Sequence, residues 1–224
     1  KIHYLKNSED ISKDIVSKLK NHEDFRKLFS NFLYEIGYNK GGTFWDRFVV
    51  RVAPAENNLP YREASRINIH RDTWGTNLYQ QINWWAPVSN VEEKNTMIFY
   101  PDYFDVPVKN TTSTWDLNIY LANRKKGDFS YPSAPQLKED LPSNIKKIPV
   151  TIKPGEILCF SGAHLHSSSK EKSENTRISF EIRTICENDL NSSAQAPNVD
   201  CDLQWKFSKI FKKINDNSPL KITS

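Results

Sequence analysis

The chain is poor in the residues that mark several specialised protein classes. Only seven of its 224 residues are glycine, and no 20–50-residue repeat is visible. That excludes a collagen-like, linker-like or solenoid organisation. Cysteine is also scarce: Cys159, Cys186 and Cys201 are odd in number and form no CxxC, so neither a disulfide framework nor a thiolate zinc site is indicated. A reducing cytoplasm suits that usage. No apolar run approaches the roughly 20 residues of a membrane-spanning helix, and Lys1-Ile2-His3-Tyr4 opens without a hydrophobic signal core. A cytoplasmic location with no membrane partner is therefore expected, and Asn110-Thr111-Thr112 and Asn191-Ser192-Ser193 read as chance glycosylation triplets. The net charge is only +4 and the lysines are scattered, which removes nucleic acid as a charge-driven partner and leaves oligomeric state open.

What the chain does have is aromatic surface. Twelve Phe, nine Tyr and six Trp supply large groups to bury, and the length suits one domain, 1–224. Residues 1–42 read as two amphipathic helices. The first is capped at Ser8-Glu9-Asp10; the second runs from Glu23 to Tyr38 with Phe25, Leu28, Phe29, Phe32, Leu33 and Ile36 at helical spacing, ended by Gly37. From Thr43 the period shortens. Strands are expected at 44–52, 66–72, 78–88, 97–101, 147–152, 156–160 and 177–185, with Lys153-Pro154-Gly155 as a tight turn. Residues 105–146 are polar and long for a connection, which predicts a lid-like insertion. The stretch 187–224 reads as a C-terminal extension carrying a helix from Asp200, with Leu203, Phe207, Ile210, Phe211 and Ile214 on one face. Helices followed by strands with almost no helix between them predict a mainly antiparallel β-fold with flanking helices.

The chemistry concentrates in Arg66-Ile67-Asn68-Ile69-His70-Arg71-Asp72. On an extended strand His70 and Asp72 share a face and Arg71 takes the other, so one imidazole and one carboxylate converge. These are two of the three ligands of a two-histidine, one-carboxylate iron(II) site. A distant histidine on a neighbouring strand would complete it, and Gly155 to His166 reads as turn, apolar strand and then two histidines, His164 and His166. Eleven residues after His166, Arg177 opens the alternating strand Arg177-Ile178-Ser179-Phe180-Glu181-Ile182-Arg183.

With that order and spacing, His70-Arg71-Asp72, His166-Ser167-Ser168 and Arg177-Ile178-Ser179 make the chain resemble the iron(II)/2-oxoglutarate-dependent oxygenases, among them the phytanoyl-CoA dioxygenase-like family. The resemblance covers about residues 45 to 186. It implies a double-stranded β-helix, a jelly roll of the cupin kind, over 43–186, with iron(II) held by His70, Asp72 and His166. The His-to-Arg spacing favours His166 over His164 as third ligand. It also implies 2-oxoglutarate as cosubstrate, its far carboxylate held by Arg177 with Ser179 adding a hydroxyl, and O2 as oxidant. The expected reaction is hydroxylation of an unactivated C–H bond with release of succinate and CO2. Asp72 disfavours halogenation, because related halogenases carry a small residue there. Tyr100-Pro101-Asp102-Tyr103-Phe104 departs from that family's common wording at this place in the chain.

For the substrate the residues offer environment only. Trp74, Gln81, Asn83 and Arg183, with Arg51 and Arg62 nearby, suggest a small polar molecule. The alternatives are another metal-dependent cupin enzyme, an isomerase or an oxo-acid-independent dioxygenase, and a non-catalytic binding protein on the same barrel.

Overall fold

The computed structural model describes residues 14, 17 and 18 and residues 22–222 except 47, 54, 56–66, 129, 170, 172 and 193. Most of the first expected helix, together with Arg62 and Arg66, lies outside the described residues. The elements are α1 (Glu23–Glu35), β1 (Thr43–Trp45), β2 (Val49–Ala53), α2 (Thr73–Thr76), β3 (Ile82–Pro87), β4 (Met97–Phe99), α3 (Leu117–Lys125), β5 (Ile148–Pro149), β6 (Leu158–Ser161), β7 (His166–Ser168), β8 (Arg177–Cys186), α4 (Glu187–Ser192) and β9 (Lys212–Lys213). Two antiparallel sheets carry the fold, in the manner of a cupin-like β-sandwich. In the first, β6, β3, β8, β1 and β9 lie in that order, and β2 joins the same edge of β8 as β1. The second has the order β5-β4-β7.

The ten-residue β8 organises the larger sheet, pairing with β3 along one edge and with β1 and β2 along the other. Its even positions Phe180 and Ile182, together with Trp84 of β3, face α1. There Phe25, Phe29, Phe32 and Leu33 form the helix stripe that the spacing predicts, with Phe29 edge-on to Trp84 at 6.1 Å between centroids. The buried Phe29 and Leu33 each contribute roughly 1.5–3 kcal/mol of transfer free energy, and the half-buried Phe25 and Phe32 less. The Trp84 indole N–H donates to Thr184 Oγ1 at 2.8 Å, so its burial leaves no polar group unmatched. At the helix end the Tyr38 N–H donates to Leu33 O (2.8 Å) and the Gly37 N–H to Tyr34 O (3.0 Å), a Schellman closure that requires the positive φ of Gly37, 97°. The other face of the sheet looks toward the smaller sheet across Trp85, Met97 and Val150, with Phe99, Leu158 and Phe160 packed against them.

Three expectations need correction. The strand expected over 44–52 is interrupted at Asp46: its carboxylate accepts from the Arg183 N–H (2.8 Å) and Nε (2.5 Å), so a side chain replaces a ladder position and splits β1 from β2. The strand expected over 66–72 does not form among the described residues: His70 makes an isolated bridge to His166, and Asp72 has helical dihedrals (φ −65°, ψ −30°) immediately before α2. The helix expected from Asp200 does not form: the described residues 200–222 run without a helix and reach two separate hydrophobic clusters. Cys201 and Leu203 join Trp74 and Trp115, whereas Phe211 and Leu220 join Phe44 and Ile185. A helix would bring those side chains onto one face; the extended chain delivers them to both places. Residues 187–192, of loop composition, instead make the short α4. The segment 105–146 includes α3, capped by the Asp116 carboxylate accepting from Asn118 N–H (2.6 Å), and packs around Trp115.

Candidate metal centre

The two histidines meet because of strand pairing. His70 and His166 face each other across an antiparallel bridge, the His70 N–H donating to His166 O (2.9 Å) and the His166 N–H to His70 O (3.0 Å). Directly opposed residues of this kind place their side chains on the same face, here with ring centroids 4.3 Å apart. Asp72 arrives by a different route from the alternation argument. Directly after the isolated bridge at His70 the chain turns into α2, where Asp72 holds the N-cap position without using its side chain to cap the helix. The carboxylate instead turns to the histidines, with Oδ1 3.4 Å from His70 Nε2. Among the described residues His70, Asp72 and His166 form the group suited to hold a metal ion, with one ligand atom from each lying within 4.8 Å of the others.

Backbone carbonyls set the tautomers. His70 Nδ1 lies 2.8 Å from Asn68 O and His166 Nδ1 2.9 Å from His164 O. A carbonyl only accepts, so each Nδ1 carries the proton and each Nε2 lone pair is directed elsewhere. Burial, then the neighbouring His70, lowers His166 to about 4, which keeps it neutral as a ligand must be. Burial alone would raise the Asp72 carboxyl. The contact with His70, the imidazole of His166 and the Arg183 guanidinium outweigh it and hold the group well below the usual carboxylate range. Two imidazole Nε2 lone pairs and a carboxylate thus converge as acceptors. A divalent metal fits this donor set.

His164 lies outside that group. Its Nδ1 sits 3.2 Å from Ser161 O, and its ring packs against Phe99 and Phe104 with centroids 5.6 and 4.6 Å away; burial lowers its pKa. Arg71, between the two expected ligands, points the other way into a buried knot with Asp200.

A cavity of about 100 Å³ opens beside Asp72, walled by Asn83, Trp85 and Phe160 and by two ion pairs, Arg51 with Glu181 and Arg183 with Asp46. Arg183 thus reaches the cavity while paired with Asp46. Glu181 and Asp46 are additions that sequence reasoning missed; Glu181 shares the parity of Arg177, Ser179 and Arg183, which was signal enough, whereas Asp46 had none. Arg177 and Ser179 are buried on the same inner face, 3% and 0% exposed, but do not wall this cavity. Arg177 Nε and Ser179 Oγ find no hydrogen-bond partner among the described residues, and the guanidinium lies 5.7 Å from the Trp85 ring. Burial, then the charge of Arg51, lowers Arg177 to about 10. Trp74 and Gln81 are fully buried. The Trp74 indole N–H donates to Asp200 Oδ1 (2.7 Å), and Gln81 is engaged by Thr76 and Asn83, so neither presents a free polar group to a bound molecule.

The fold and site together define a β-sandwich with a two-histidine, one-carboxylate cluster on its inner face. No family model matches the chain, and no curated protein matches it. Several solved structures do. A non-haem monooxygenase, ThoJ in its apo form, is 13% identical over 65% of this chain and 47% of its own, with a TM-score of 0.44. EvdO2 from Micromonospora carbonacea var. aurantiaca, complexed with 2-oxoglutarate, is 11% identical over 78% and 64%, with a TM-score of 0.45. The 2-oxoglutarate-dependent carbocyclase SnoK of nogalamycin biosynthesis is 14% identical over 86% and 72%, with a TM-score of 0.46. The chain thus spans about half the length of the first and under two thirds of the second. All three scores are below 0.5, so the functional reading rests on the site itself. Among the described residues no helix is long and apolar enough to cross a membrane.

Proposed function

We propose that this chain is a non-haem iron(II)/2-oxoglutarate-dependent oxygenase of double-stranded β-helix type, acting on a small polar molecule. The observation that carries the reading is the convergence of His70, Asp72 and His166 with both imidazole Nδ1 atoms already engaged by carbonyls. Iron(II) held there would supply activation of O2 coupled to conversion of the oxo-acid to succinate and CO2, with hydroxylation of a C–H bond as the default outcome. The phytanoyl-CoA dioxygenase-like family is the group whose motifs the chain resembles.

The protein's own part is binding and orientation. Asn68 O and His164 O fix the two imidazole rings, and Asp72 gives the site its single negative charge. Arg177 and Ser179 offer a guanidinium Nε and a hydroxyl, both buried and without described partners, on the inner face. A buried unpaired donor costs about 1–3 kcal/mol, a cost relieved when a carboxylate accepts from it. That suits the far carboxylate of a dicarboxylic cosubstrate. Arg183 and Arg51, each paired to a carboxylate, and Asn83 form the polar part of the wall beside Asp72, and Trp85 and Phe160 its aromatic part.

One observation favours a second reading. Arg177 and Ser179 lie outside the cavity at Asp72, as they would in a metal-dependent cupin isomerase or an oxo-acid-independent dioxygenase. Iron-dependent formation of succinate from 2-oxoglutarate separates the two. The first reading expects it in the wild type and its loss in Asp72→Ala. Turnover without oxo-acid favours the second.

A further inference from the structure

Asn83 walls the cavity beside Asp72 and Gln81 is buried next to it, and both amides belong to a hydrogen-bond chain that ends on Asp72. The Thr76 hydroxyl donates to Gln81 Oε1 (3.1 Å), Gln81 Nε2 donates to Asn83 Oδ1 (2.8 Å), and Asn83 Nδ2 donates to Asp72 Oδ2. Each link dictates the next. The Asp72 carboxylate only accepts, so it takes the Asn83 nitrogen; Asn83 Oδ1 then takes the Gln81 nitrogen, which leaves Gln81 Oε1 for the Thr76 hydroxyl, whose oxygen also lies 3.4 Å from Asp72 O. Gln81 and Thr76 are 0% and 2% exposed, so water does not compete along the chain. Gly162 holds it tight. A Cβ there would lie 2.8 Å from Gln81 Nε2, while the Gly162 N–H donates to Gln81 O (3.0 Å) and its carbonyl accepts from Thr73 N–H (3.2 Å). The turn leading to His166 is thereby locked to the turn that carries Asp72.

We propose that Asn83, oriented by Gln81 and Thr76, is a positioning residue that occupies Asp72 Oδ2 and leaves Oδ1, the oxygen beside His70, as the single carboxylate ligand to the metal. This rests on the metal-site reading above. Without the relay the carboxylate is free to rotate or to bind through both oxygens, which changes how many positions of the ion stay open. Partners that orient a metal ligand typically govern metal affinity by about ten- to hundredfold.

Cobalt(II) is the probe, read by its visible absorption and by competition with a chelating dye, with a thermal melt for each variant. Asn83→Leu should bind cobalt ten- to hundredfold more weakly and show an altered spectrum. Gln81→Glu, which never touches Asp72, should reproduce the change, because its carboxylate cannot donate to Asn83 and draws the Asn83 nitrogen away. Thr76 supplies a pair that survives any folding defect in those two. Thr76→Val keeps the shape and deletes the hydroxyl; Thr76→Ser keeps the hydroxyl and deletes a methyl. The relay predicts a weakened, altered cobalt site in Val and a wild-type one in Ser. The reverse order, or wild-type cobalt binding and spectra in Asn83→Leu and Thr76→Val, would overturn it. Asp72→Ala separates the two levels of the account: if it binds cobalt like the wild type, the metal site itself is wrong, whereas if only Asp72→Ala loses cobalt, the site stands and the relay falls.

Discussion

Two buried polar clusters start from adjacent residues and are built on opposite principles. Arg71 directs its Nε to Asp200 Oδ2 (3.1 Å) and its other donors to the carbonyls of Ala163 (2.6 Å), Tyr103 (2.6 Å), Val106 (2.9 Å) and Phe104 (3.3 Å). Asp200 also accepts from the Trp74 indole and the Val108 N–H. Every charge there is matched by protein, so the cluster closes on itself. His70, Asp72 and His166 have their outer atoms fixed by carbonyls and by Asn83, yet their inner atoms face one another with nothing but acceptors. The first arrangement is complete as folded; the second is complete only around a cation. A saturated polar cluster holds a fold, and an unsaturated one with rigid support holds a ligand.

The largest expected effect breaks the closed cluster. Arg71→Met leaves Asp200 buried without its counter-charge and should lower unfolding free energy by about 3–5 kcal/mol in urea denaturation. His70→Ala in the open cluster should remove metal binding while costing the metal-free protein less stability than Arg71→Met. A similar loss in both variants would erase the distinction drawn here.

Acid sharpens it next. His166 is near 4 when folded and 6.5 when unfolded, so its contribution to stability is fully present above pH 6.5. Below that, the unfolded chain binds the proton first, and stability drains as pH falls to about 4, by roughly 3 kcal/mol in the metal-free protein. Added divalent metal, which binds the neutral imidazole, should steepen the fall, and equilibrium unfolding across pH 4–7 measures both slopes.

Arg177→Ala comes third. It removes a buried guanidinium whose Nε has no described partner, so folding should change little while 2-oxoglutarate affinity drops about ten- to hundredfold, the weight of a charge-assisted contact, by calorimetry of the iron-loaded protein. The smallest effect belongs to an exposed pair that serves neither purpose: Lys109→Ala, which breaks a 2.6 Å contact with Glu139 at the surface, should move stability by about 0.5 kcal/mol or less in the same denaturation assay.

Much of this was legible in the sequence because it follows from short-range rules. The stripe Phe25-Phe29-Phe32-Leu33 and the stop at Gly37 delimit α1 from spacing and backbone freedom alone, and the alternation from Arg177 to Arg183 places β8 and its inner face. His70 and Asp72 come together, but not by the alternation that predicts it: His70 makes an isolated bridge, and Asp72 is delivered by a helical turn whose geometry no alternation rule contains. What escaped was non-local. The 200–222 segment has a helical apolar pattern, yet Asp200 is held by Arg71, and its apolar residues answer to two clusters far apart in sequence. Parity reads Gln81 and Asn83 as cavity-lining amides, and Asn83 does line the cavity; that their polar atoms answer to Thr76 and Asp72 depends on a close approach to Gly162 that only the folded chain creates.

The most direct test of the open cluster is an anaerobic titration of the metal-free protein with iron(II) and then 2-oxoglutarate, recorded in the visible. A weak charge-transfer band that appears on adding the oxo-acid and is lost in Asp72→Ala is the predicted result. Iron that binds without a band, or a wild-type protein that binds no iron, would contradict the account.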